Sequence, residues 1–293
     1  MAPRIPGHVL RSAVVLEDVE LLYVPVPKAG CTAILKALAE VAGLPDDELA
    51  RSRKLEVTRD LAIHDAAVWG ESYLLGSRSP DEVRQILDAP RWLRFTVVRE
   101  PLARLWSAWV SKILVREPRF VAAFGREDWF PPVPGTSYDV LRWFRRFVGA
   151  LPSRDAELHD PHWSRQVDLV GPGDVHYDHV GHLERVDESV AVVGRHLRAR
   201  GCRLPPLRYA NRSLLRYVPG VYDRGALDAC VTWTTSAREA FGYEPPPGDP
   251  APPDDAWHAT VEAAIPGIQA VIERHERIAD LRAMVRQGHL EVA

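Results

Sequence analysis

A lysine, a glycine and a threonine directly follow a short apolar segment near the amino terminus. Residues 21–26 are mostly apolar, and Lys28, Gly30 and Thr32 come next, ahead of apolar residues at helical spacing. Backbone N–H groups at the start of a helix favour an anion such as phosphate, and glycine lets the backbone approach a ligand closely. Lys28 adds a positive charge and Thr32 a hydroxyl group. The pattern therefore predicts a strand, an anion-binding loop and a helix over 31–42.

An arginine and a serine form a second candidate anion site. Arg99 follows the apolar segment 94–98, and Pro101 suits the first turn of a helix because its missing N–H would have no partner there. Ser107 follows Arg99 by eight residues. An arginine fork and a serine hydroxyl suit a terminal phosphate. Arg104, on the same predicted helix, is expected to be a surface ion-pair partner rather than a ligand.

Together with later segments, these motifs resemble the sulfotransferases that use 3′-phosphoadenosine 5′-phosphosulfate (PAPS). Pro-Lys-Ala-Gly-Cys-Thr at 27–32 is similar to the 5′-phosphosulfate loop of the branch that holds the Golgi carbohydrate sulfotransferases. It differs from a nucleotide P-loop, whose lysine follows the second glycine. Arg-x-Pro followed by Ser107 resembles the 3′-phosphate motif. The later matches are His-Trp-x-x-Gln at 162–166, Tyr-Asp-x-Val-Gly-x-x-Glu at 177–184, Asn-x-Ser at 211–213 and Phe-Gly-Tyr at 241–243.

The resemblance implies that a sulfuryl group passes from PAPS to an acceptor hydroxyl on a sugar or a glycosylated natural product, which leaves adenosine 3′,5′-bisphosphate. It implies that Arg99 and Ser107 bind the 3′-phosphate, and that Lys28 stabilises charge on the leaving 5′-phosphate. No metal is expected. A nucleotide-dependent kinase and a PAPS-binding protein without transferase activity remain alternatives. The loop residues expected to bind the cofactor are Lys28, Ala29, Gly30, Cys31, Thr32 and Ala33.

The transfer also needs a base for the acceptor proton, and histidine is the usual choice. His64 lies between the two phosphate motifs, in the interval where related carbohydrate sulfotransferases carry a base histidine, so the resemblance makes it the first candidate. A single histidine in an apolar context is more often structural, and that alternative stays open. His162 is the second candidate, and a hydrogen-bonding role beside Trp163 is its alternative.

The chain departs from the family pattern in three places. Ala33 stands where serine or asparagine often follows the loop threonine, so one side-chain donor is missing, although a backbone N–H can still bind phosphate. Val170 and Gly171 stand where cysteines often follow the His-Trp motif. An amino-terminal membrane anchor like that of the Golgi members is not expected from residues 1–20. Cys31 is expected to fill space, with a nucleophilic role at low pKa as the alternative.

Composition favours a globular enzyme in a reducing compartment. The 293 residues carry a net charge of −3, which argues against a dedicated nucleic-acid binder, although basic residues cluster over 91–119 and suit an anionic cofactor. Three cysteines argue against a disulfide framework. No apolar run reaches the roughly 18 residues that span a bilayer, and residues 1–20 show no targeting pattern. We therefore expect a cytoplasmic protein, and the excess of arginine over lysine is typical of a GC-rich, bacterial genome.

Alternating strands and helices predict an α/β fold, with a P-loop-like parallel sheet flanked by helices and a C-terminal helical extension. Ligands of such sheets bind beyond the carboxyl ends of the strands, where Lys28 and Arg99 both fall. Residues 117–136 are rich in proline, glycine and aromatic residues and are expected to be irregular. The predicted strands are 21–26, 94–98 and 178–183, and the predicted helices are 31–42, 80–88, 101–115, 138–148, 187–200 and 222–240.

Three segments are expected along the chain: a sulfotransferase domain over 1–244, a proline-rich connector over 245–256 and a C-terminal helix over 257–293. Apolar residues recur every three or four positions in that helix, which is expected to bend or start at Pro266. We expect the helix to pack on its own domain. A homodimer contact and a lid over the acceptor site are the alternatives.

The acceptor, a small molecule or a glycan, is not identified by the sequence. Aromatic faces suit sugar rings, but each tryptophan is expected first in the core. The aromatic candidates in 117–165 are Trp129, Phe130, Tyr138, Trp143 and Trp163.

Overall fold

The computed structural model describes residues 5–44, 59–152, 160–208, 213–245 and 248–287. The chain divides into two compact units, and each is described by itself. Lys28, His64 and Arg99 belong to the first unit, whereas Ser107 belongs to the second. The first unit comprises Met1–Arg104, Asp160–Arg212 and Ser236–Glu244, and the second comprises Leu105–His159, Ser213–Thr235 and Pro245–Ala293.

A four-stranded sheet forms the centre of the first unit. The strands are β1 (Val14–Leu16), β2 (Leu21–Val24), β3 (Leu93–Val98) and β4 (His179–His182), in the spatial order β1-β2-β3-β4. β2, β3 and β4 run parallel, as predicted, and β1 pairs antiparallel with β2. The parallel strands therefore end on the same edge of the sheet.

Eleven α-helices occur among the described residues. The eleven helices are α1 (Gly7–Ser12), α2 (Cys31–Val41), α3 (Ala66–Trp69), α4 (Pro80–Asp88), α5 (Pro101–Trp109), α6 (Pro118–Phe124), α7 (Ser137–Ala150), α8 (Gln166–Val170), α9 (Val186–Arg198), α10 (Arg224–Phe241) and α11 (Asp255–Arg286). α10 matches the helix predicted over 222–240, and α11 matches the predicted C-terminal extension.

Apolar clusters cover the two faces of the sheet, since alternate residues of a strand point to opposite faces. One cluster contains Leu22 and Val24 and packs against α1, α4 and α8. The other contains Leu21 and Tyr23 and packs against α2, α3 and α9. The predicted α/β fold, with a mainly parallel sheet and helices on both faces, is confirmed.

The segment 117–136 is not wholly irregular, which corrects the sequence-based expectation. α6 occupies Pro118–Phe124, with proline at its first turn. Phe120 is buried, and its ring lies 6.4 Å from that of Phe124. About two turns of helix therefore gain enough apolar burial to form between turn-rich flanks. The helix predicted over 101–115 is observed as α5 followed by a π-helical turn, Val110–Leu114.

Aromatic side chains form the core of the second unit. Trp106, Trp109 and Phe144 pack together with ring centroids 4.8 to 5.7 Å apart. Trp106 also donates a hydrogen bond from Nε1 to the Leu215 carbonyl at 3.2 Å. This core lies where α5 and α7 meet.

The C-terminal helix α11 packs within the second unit. Asp254 caps its first turn by accepting a hydrogen bond from the Trp257 N–H at 2.8 Å. The helix therefore begins well before Pro266, which lies inside it. Its buried apolar face contains Trp257, Val261, Ile265, Ile268 and Ile272.

No helix within the described part of the chain is long and apolar enough to cross a membrane.

Candidate active site

The lysine loop connects β2 to α2 in an unusual backbone conformation. Lys28 has φ +68° and Gly30 has φ +79°, so both lie in the left-handed region. A non-glycine residue there is strained by about 1–3 kcal/mol and persists only where its surroundings hold it. A Cβ on Gly30 would come within 2.7 Å of Leu183 Cδ1. Glycine is therefore favoured at residue 30 by its left-handed backbone, and a Cβ there would also displace the end of the Leu183 side chain.

The second motif lies directly against this loop. The Arg99 Nη1 group donates a hydrogen bond to the Lys28 carbonyl oxygen at 3.2 Å. The parallel pairing of β2 with β3 explains the contact, because both residues follow the carboxyl ends of neighbouring strands. The two predicted anion-binding motifs are thus brought together in space.

Gln166 holds the backbone of Arg99 from a third segment. Its Oε1 accepts a hydrogen bond from the Arg99 N–H at 2.9 Å, and its Nε2 donates to the Arg99 carbonyl at 2.8 Å. The side chain is only 1% exposed. Sequence reasoning noticed Gln166 only as part of the His-Trp-x-x-Gln resemblance and assigned it no function. Its paired contact identifies it as the support of Arg99.

Arg104 is not a surface ion-pair partner, which corrects the sequence-based prediction. The residue is buried, and its guanidinium donates to three carbonyl oxygens: Pro27 at 2.9 Å, Ser164 at 2.8 Å and Pro161 at 2.7 Å. Burial lowers the pKa of Arg104 to about 9, so the group stays charged at neutral pH. The helical position alone did not indicate that this arginine points inward.

His64 contacts the lysine loop through its threonine. His64 Nε2 lies 2.8 Å from Thr32 Oγ1. His64 is exposed, whereas Thr32 is 6% exposed at the first turn of α2. Asp65 caps the following helix α3 by accepting from the Ala67 N–H at 3.3 Å, which fixes the backbone beside His64. The first base candidate is thus adjacent to the anion loop.

His162, the second base candidate, and the neighbouring His179 and His182 have structural partners. His162 Nδ1 lies 2.6 Å from Asp160 Oδ1. His179 contacts Ser189 Oγ at 2.9 Å, and His182 contacts the Phe241 carbonyl at 2.8 Å. His159 lies outside the described residues. None of these contacts involves the lysine loop.

Cys31 is buried at the start of α2. Burial raises the pKa of its thiol, although Lys28 and backbone N–H groups act in the opposite direction. A raised pKa disfavours the reactive thiolate at neutral pH. The expected space-filling role fits this environment better than the nucleophilic alternative.

Ser107, the partner predicted for Arg99, is buried on α5 and falls in the second unit. Its contact with a 3′-phosphate therefore stays a prediction from the motif. Of the Asn-x-Ser segment, Asn211 and Arg212 lie outside the described residues.

Several basic residues of the cluster predicted over 91–119 bind carboxylates. Arg91 pairs with Glu20 at 2.6 Å, and Lys112 pairs with Glu117 at 2.5 Å. Arg94 is likewise bound to a carboxylate, through the contacts described next. Arg99 and Arg104 donate hydrogen bonds to the lysine loop, Arg99 to the Lys28 carbonyl and Arg104 to the Pro27 carbonyl.

The remaining motifs support the sheet. Asp178 accepts from Arg94 Nε at 2.8 Å and Nη2 at 3.0 Å, and these bonds hold its pKa below the ordinary value although burial opposes ionisation. A Cβ on Gly181 would lie 1.9 Å from Ser189 Oγ, so glycine lets α9 approach β4 closely. Tyr243 of the Phe-Gly-Tyr motif donates to Glu184 Oε2 at 3.1 Å.

The aromatic candidates for the acceptor differ in exposure. Trp129, Phe130 and Trp163 are buried, as expected for core residues. Tyr138 is 69% exposed, and its ring stacks on His258 at 4.7 Å. Trp143 is half-buried, so Tyr138 is the most exposed of the five candidates. No group of three or more His, Cys, Asp or Glu residues that could hold a metal occurs in the described segments.

A mainly parallel sheet with a lysine loop at one strand end and an arginine at the next defines an α/β protein suited to an anionic ligand. A family model described as "Sulfotransferase family" matches residues 11–210, more than half of the chain. The chain therefore belongs to the sulfotransferase family.

Comparison with curated proteins gives relatives of one kind. The chain is 30% identical over 193 residues to carbohydrate sulfotransferase 14 of Homo sapiens, covering 65% of this chain and 47% of the relative. It is 27% identical over 189 residues to carbohydrate sulfotransferase 11 of Rattus norvegicus (61% and 51%). It is 26% identical over 238 residues to carbohydrate sulfotransferase 10 of Danio rerio (74% and 62%). The chain spans about half the length of the first two relatives, and no solved structure gives a significant match.

Proposed function

We propose that the protein transfers a sulfuryl group from PAPS to a hydroxyl of a sugar or a glycosylated natural product. The observation that carries the proposal is the contact of Arg99 with the Lys28 carbonyl. It joins the two motifs that resemble opposite ends of a PAPS site. The relatives' names, which all specify carbohydrate sulfotransferases, support a sugar acceptor.

The donor would bind with its two charged ends on different motifs. Lys28 and the loop 28–33 would bind the 5′-phosphosulfate, and Arg99 with Ser107 would bind the 3′-phosphate. Because a guanidinium can donate two parallel hydrogen bonds, Arg99 would favour donors that carry the 3′-phosphate. The product would be adenosine 3′,5′-bisphosphate.

The reaction proposed is an in-line displacement at sulfur. The acceptor oxygen forms a bond to sulfur while the bond between sulfur and the bridging phosphate oxygen breaks. By analogy with phosphoryl transfer, charge builds on the leaving oxygen. Lys28 would stabilise that charge, which is electrostatic stabilisation at a preorganised site.

His64 is the proposed base that takes the acceptor proton. In the tautomer whose Nε2 accepts from Thr32, the threonine hydroxyl has only one proton to give. When Thr32 donates to the bound phosphate, His64 Nε2 loses that bond and its lone pair becomes available to the acceptor hydroxyl. The distance of 2.8 Å between Thr32 and His64 supports such coupling between donor binding and base availability.

Thermal unfolding with nucleotides tests the donor assignment. A ligand that binds only the native state raises its apparent stability. We expect a large increase in the unfolding temperature with adenosine 3′,5′-bisphosphate and a small one with 5′-AMP. Equal shifts for the two nucleotides, or none, would contradict a PAPS site.

Transfer assays separate the proposal from its alternatives. Labelled sulfate should pass from PAPS to a glycan acceptor. Turnover with ATP and Mg²⁺ but not with PAPS would favour a kinase. Tight bisphosphate binding without transfer to any acceptor would indicate a binding protein.

Three further predictions accompany this function. The first is the division into a sulfotransferase domain over 1–244, a connector over 245–256 and a helix over 257–293. The second is the alternative of a homodimer contact through α11, beside its packing within the second unit, and light scattering of the purified protein would test it. The third is a cytoplasmic location in a bacterial cell, and this prediction rests on composition.

A further inference from the structure

We propose that Arg104 is a positioning residue that fixes the lysine loop for the 5′-phosphosulfate end of the donor, an inference that rests on the proposed function. Its Nε group donates to the Pro27 carbonyl at 2.9 Å, directly before Lys28. Its two terminal nitrogens donate to the Ser164 and Pro161 carbonyls at 2.8 and 2.7 Å. One guanidinium thus ties the loop to a distant part of the chain.

The segment that anchors Arg104 is itself firmly packed. Trp163 and Gln166 are each 1% exposed. The Ser164 hydroxyl donates to the Asp160 carbonyl at 2.8 Å. Arg104 therefore fixes the loop against a packed segment, and Gln166 of that same segment holds the Arg99 backbone.

The strained backbone of the loop explains why such an anchor is needed. Lys28 has φ +68°, a conformation that a lysine keeps only where its neighbours determine it. Arg104 fixes the carbonyl of the preceding residue, Pro27, and Arg99 fixes that of Lys28 itself. The planar fork of arginine spreads its donors over three separate nitrogens, whereas the three donors of lysine sit on one nitrogen, so we expect lysine not to reproduce these three contacts.

The charge of Arg104 adds a second effect on the loop. Its three hydrogen-bond acceptors are neutral carbonyls, and the nearby Asp160 carboxylate also favours its charged form. Arg94 provides the contrast, because its guanidinium binds Asp178 directly at 2.8 and 3.0 Å. A buried positive charge that is bonded to neutral carbonyls favours an anion nearby. The site thus gains affinity for the donor's 5′ end without direct contact from Arg104.

Calorimetric titration of variants tests this role. We expect Arg104→Lys and Arg104→Gln to bind both adenosine 3′,5′-bisphosphate and 5′-AMP about tenfold or more weakly than the wild type, since hydrogen bonds from charged groups are worth about that much. The loss should be similar for both ligands because Arg104 acts on the 5′ end. With PAPS as substrate, KM should rise and kcat should fall, because a displaced Lys28 also stabilises the transition state less.

The matched control is Arg94→Lys, which perturbs a buried arginine that does not touch the loop. It should lower the unfolding temperature and leave nucleotide affinity within about twofold of the wild type. Ser164→Ala is a milder variant that loosens the anchoring segment, and it should weaken both nucleotides about threefold. It carries the test if the Arg104 variants do not fold.

The possible results distinguish a failure of the proposed function from a failure of the positioning role of Arg104. A wild-type protein that ignores the bisphosphate would overturn the proposed function. A wild type that binds it, with Arg104 or Ser164 variants that bind equally well, would overturn the positioning role alone. A loss equal to that of Arg94→Lys would also overturn it, because the effect would then be general destabilisation.

Discussion

The Arg99 guanidinium lies 3.2 Å from the Lys28 carbonyl oxygen, although 71 residues separate the two in the chain. The contact follows from the parallel pairing of β2 with β3, which places the ends of both strands at one edge of the sheet. The Arg99 side chain binds the backbone of the other motif, so its loss should also affect the loop, whereas a substitution of the Lys28 side chain leaves the acceptor carbonyl in place. This relationship is the basis of the predictions below.

Substitution of Gly30 by alanine should damage both stability and binding. The left-handed backbone strains any residue with a Cβ, and the Leu183 side chain, whose Cδ1 would lie 2.7 Å from that Cβ, would have to shift. We expect the free energy of unfolding to fall by about 1–3 kcal/mol, and the bisphosphate to bind more weakly because the loop must shift. Urea unfolding and calorimetry measure the two effects.

Gly149→Ala is the matched control for this substitution. Gly149 lies within α7, and a Cβ there meets nothing within 4 Å. Its variant should be neutral or stabilised by up to about 1 kcal/mol. A Gly30→Ala protein that binds the bisphosphate as the wild type does would show that the loop is not the site.

Replacing Gln166 by glutamate should weaken recognition of the 3′-phosphate. The glutamate has the same shape but cannot donate to the Arg99 carbonyl, so one of the two bonds is lost and an acceptor is left unpaired. We expect a loss of about 1–3 kcal/mol in bisphosphate affinity, with a smaller change for 5′-AMP. Gln85→Glu on the exposed surface of α4 is the control, and calorimetry is the measurement. Equal affinities for the Gln166 variant and the wild type would remove Gln166 from the site.

His64→Ala should separate turnover from donor binding. General-base catalysis typically contributes about 10² to 10⁴ in rate, so kcat should fall by that order while bisphosphate affinity changes little. His176→Ala, which alters an exposed histidine near Asp178, should leave kcat unchanged. Wild-type turnover in the His64 variant would exclude it as the base.

The Arg94–Asp178 pair predicts a specific dependence of stability on pH. Asp178 has a lowered pKa in the folded protein, so its contribution is complete above its unfolded pKa of about 3.9 and is lost as the pH falls towards the folded value. Asp178→Asn should lower the free energy of unfolding by about 2–4 kcal/mol at pH 7. The difference from the wild type should shrink below about pH 4.

The control for this prediction is Asp168→Asn. Asp168 pairs with Arg165 at 2.6 Å, but the pair is largely exposed. An exposed pair contributes about 0–1 kcal/mol, so this variant should unfold almost as the wild type does at every pH. A constant difference between Asp178→Asn and the wild type down to pH 2 would contradict the lowered pKa.

The sequence predicted the elements that local pattern determines. The strand–loop–helix around Lys28 and the helix α4 lie close to their predicted bounds, because apolar spacing and the capping residue Ser79 are local signals. β1 was not predicted because three residues, Val14–Leu16, give too short a pattern, and their pairing with β2 depends on the turn between them. α6 was missed for a similar reason, since this short helix of about two turns depends on burial of Phe120.

The supports of the site were not predictable from sequence. Arg104 reaches carbonyl oxygens that lie 57 to 77 residues away in the chain. A backbone carbonyl has no signature in the sequence, so the same arginine fits a surface position equally well. Gln166 likewise binds the backbone of Arg99, 67 residues away. The motifs identified which residues matter, and the fold was needed to show what each one touches.

The contribution of the 3′-phosphate to binding, measured by calorimetry in three proteins, tests the central claim most directly. The wild type should bind adenosine 3′,5′-bisphosphate about 10- to 100-fold more tightly than 5′-AMP. Arg99→Ala should reduce this ratio to nearly one, whereas Lys28→Ala should weaken both nucleotides and preserve the ratio. A wild-type ratio near one, or a ratio that Arg99→Ala leaves unchanged, would contradict a single nucleotide held by both motifs.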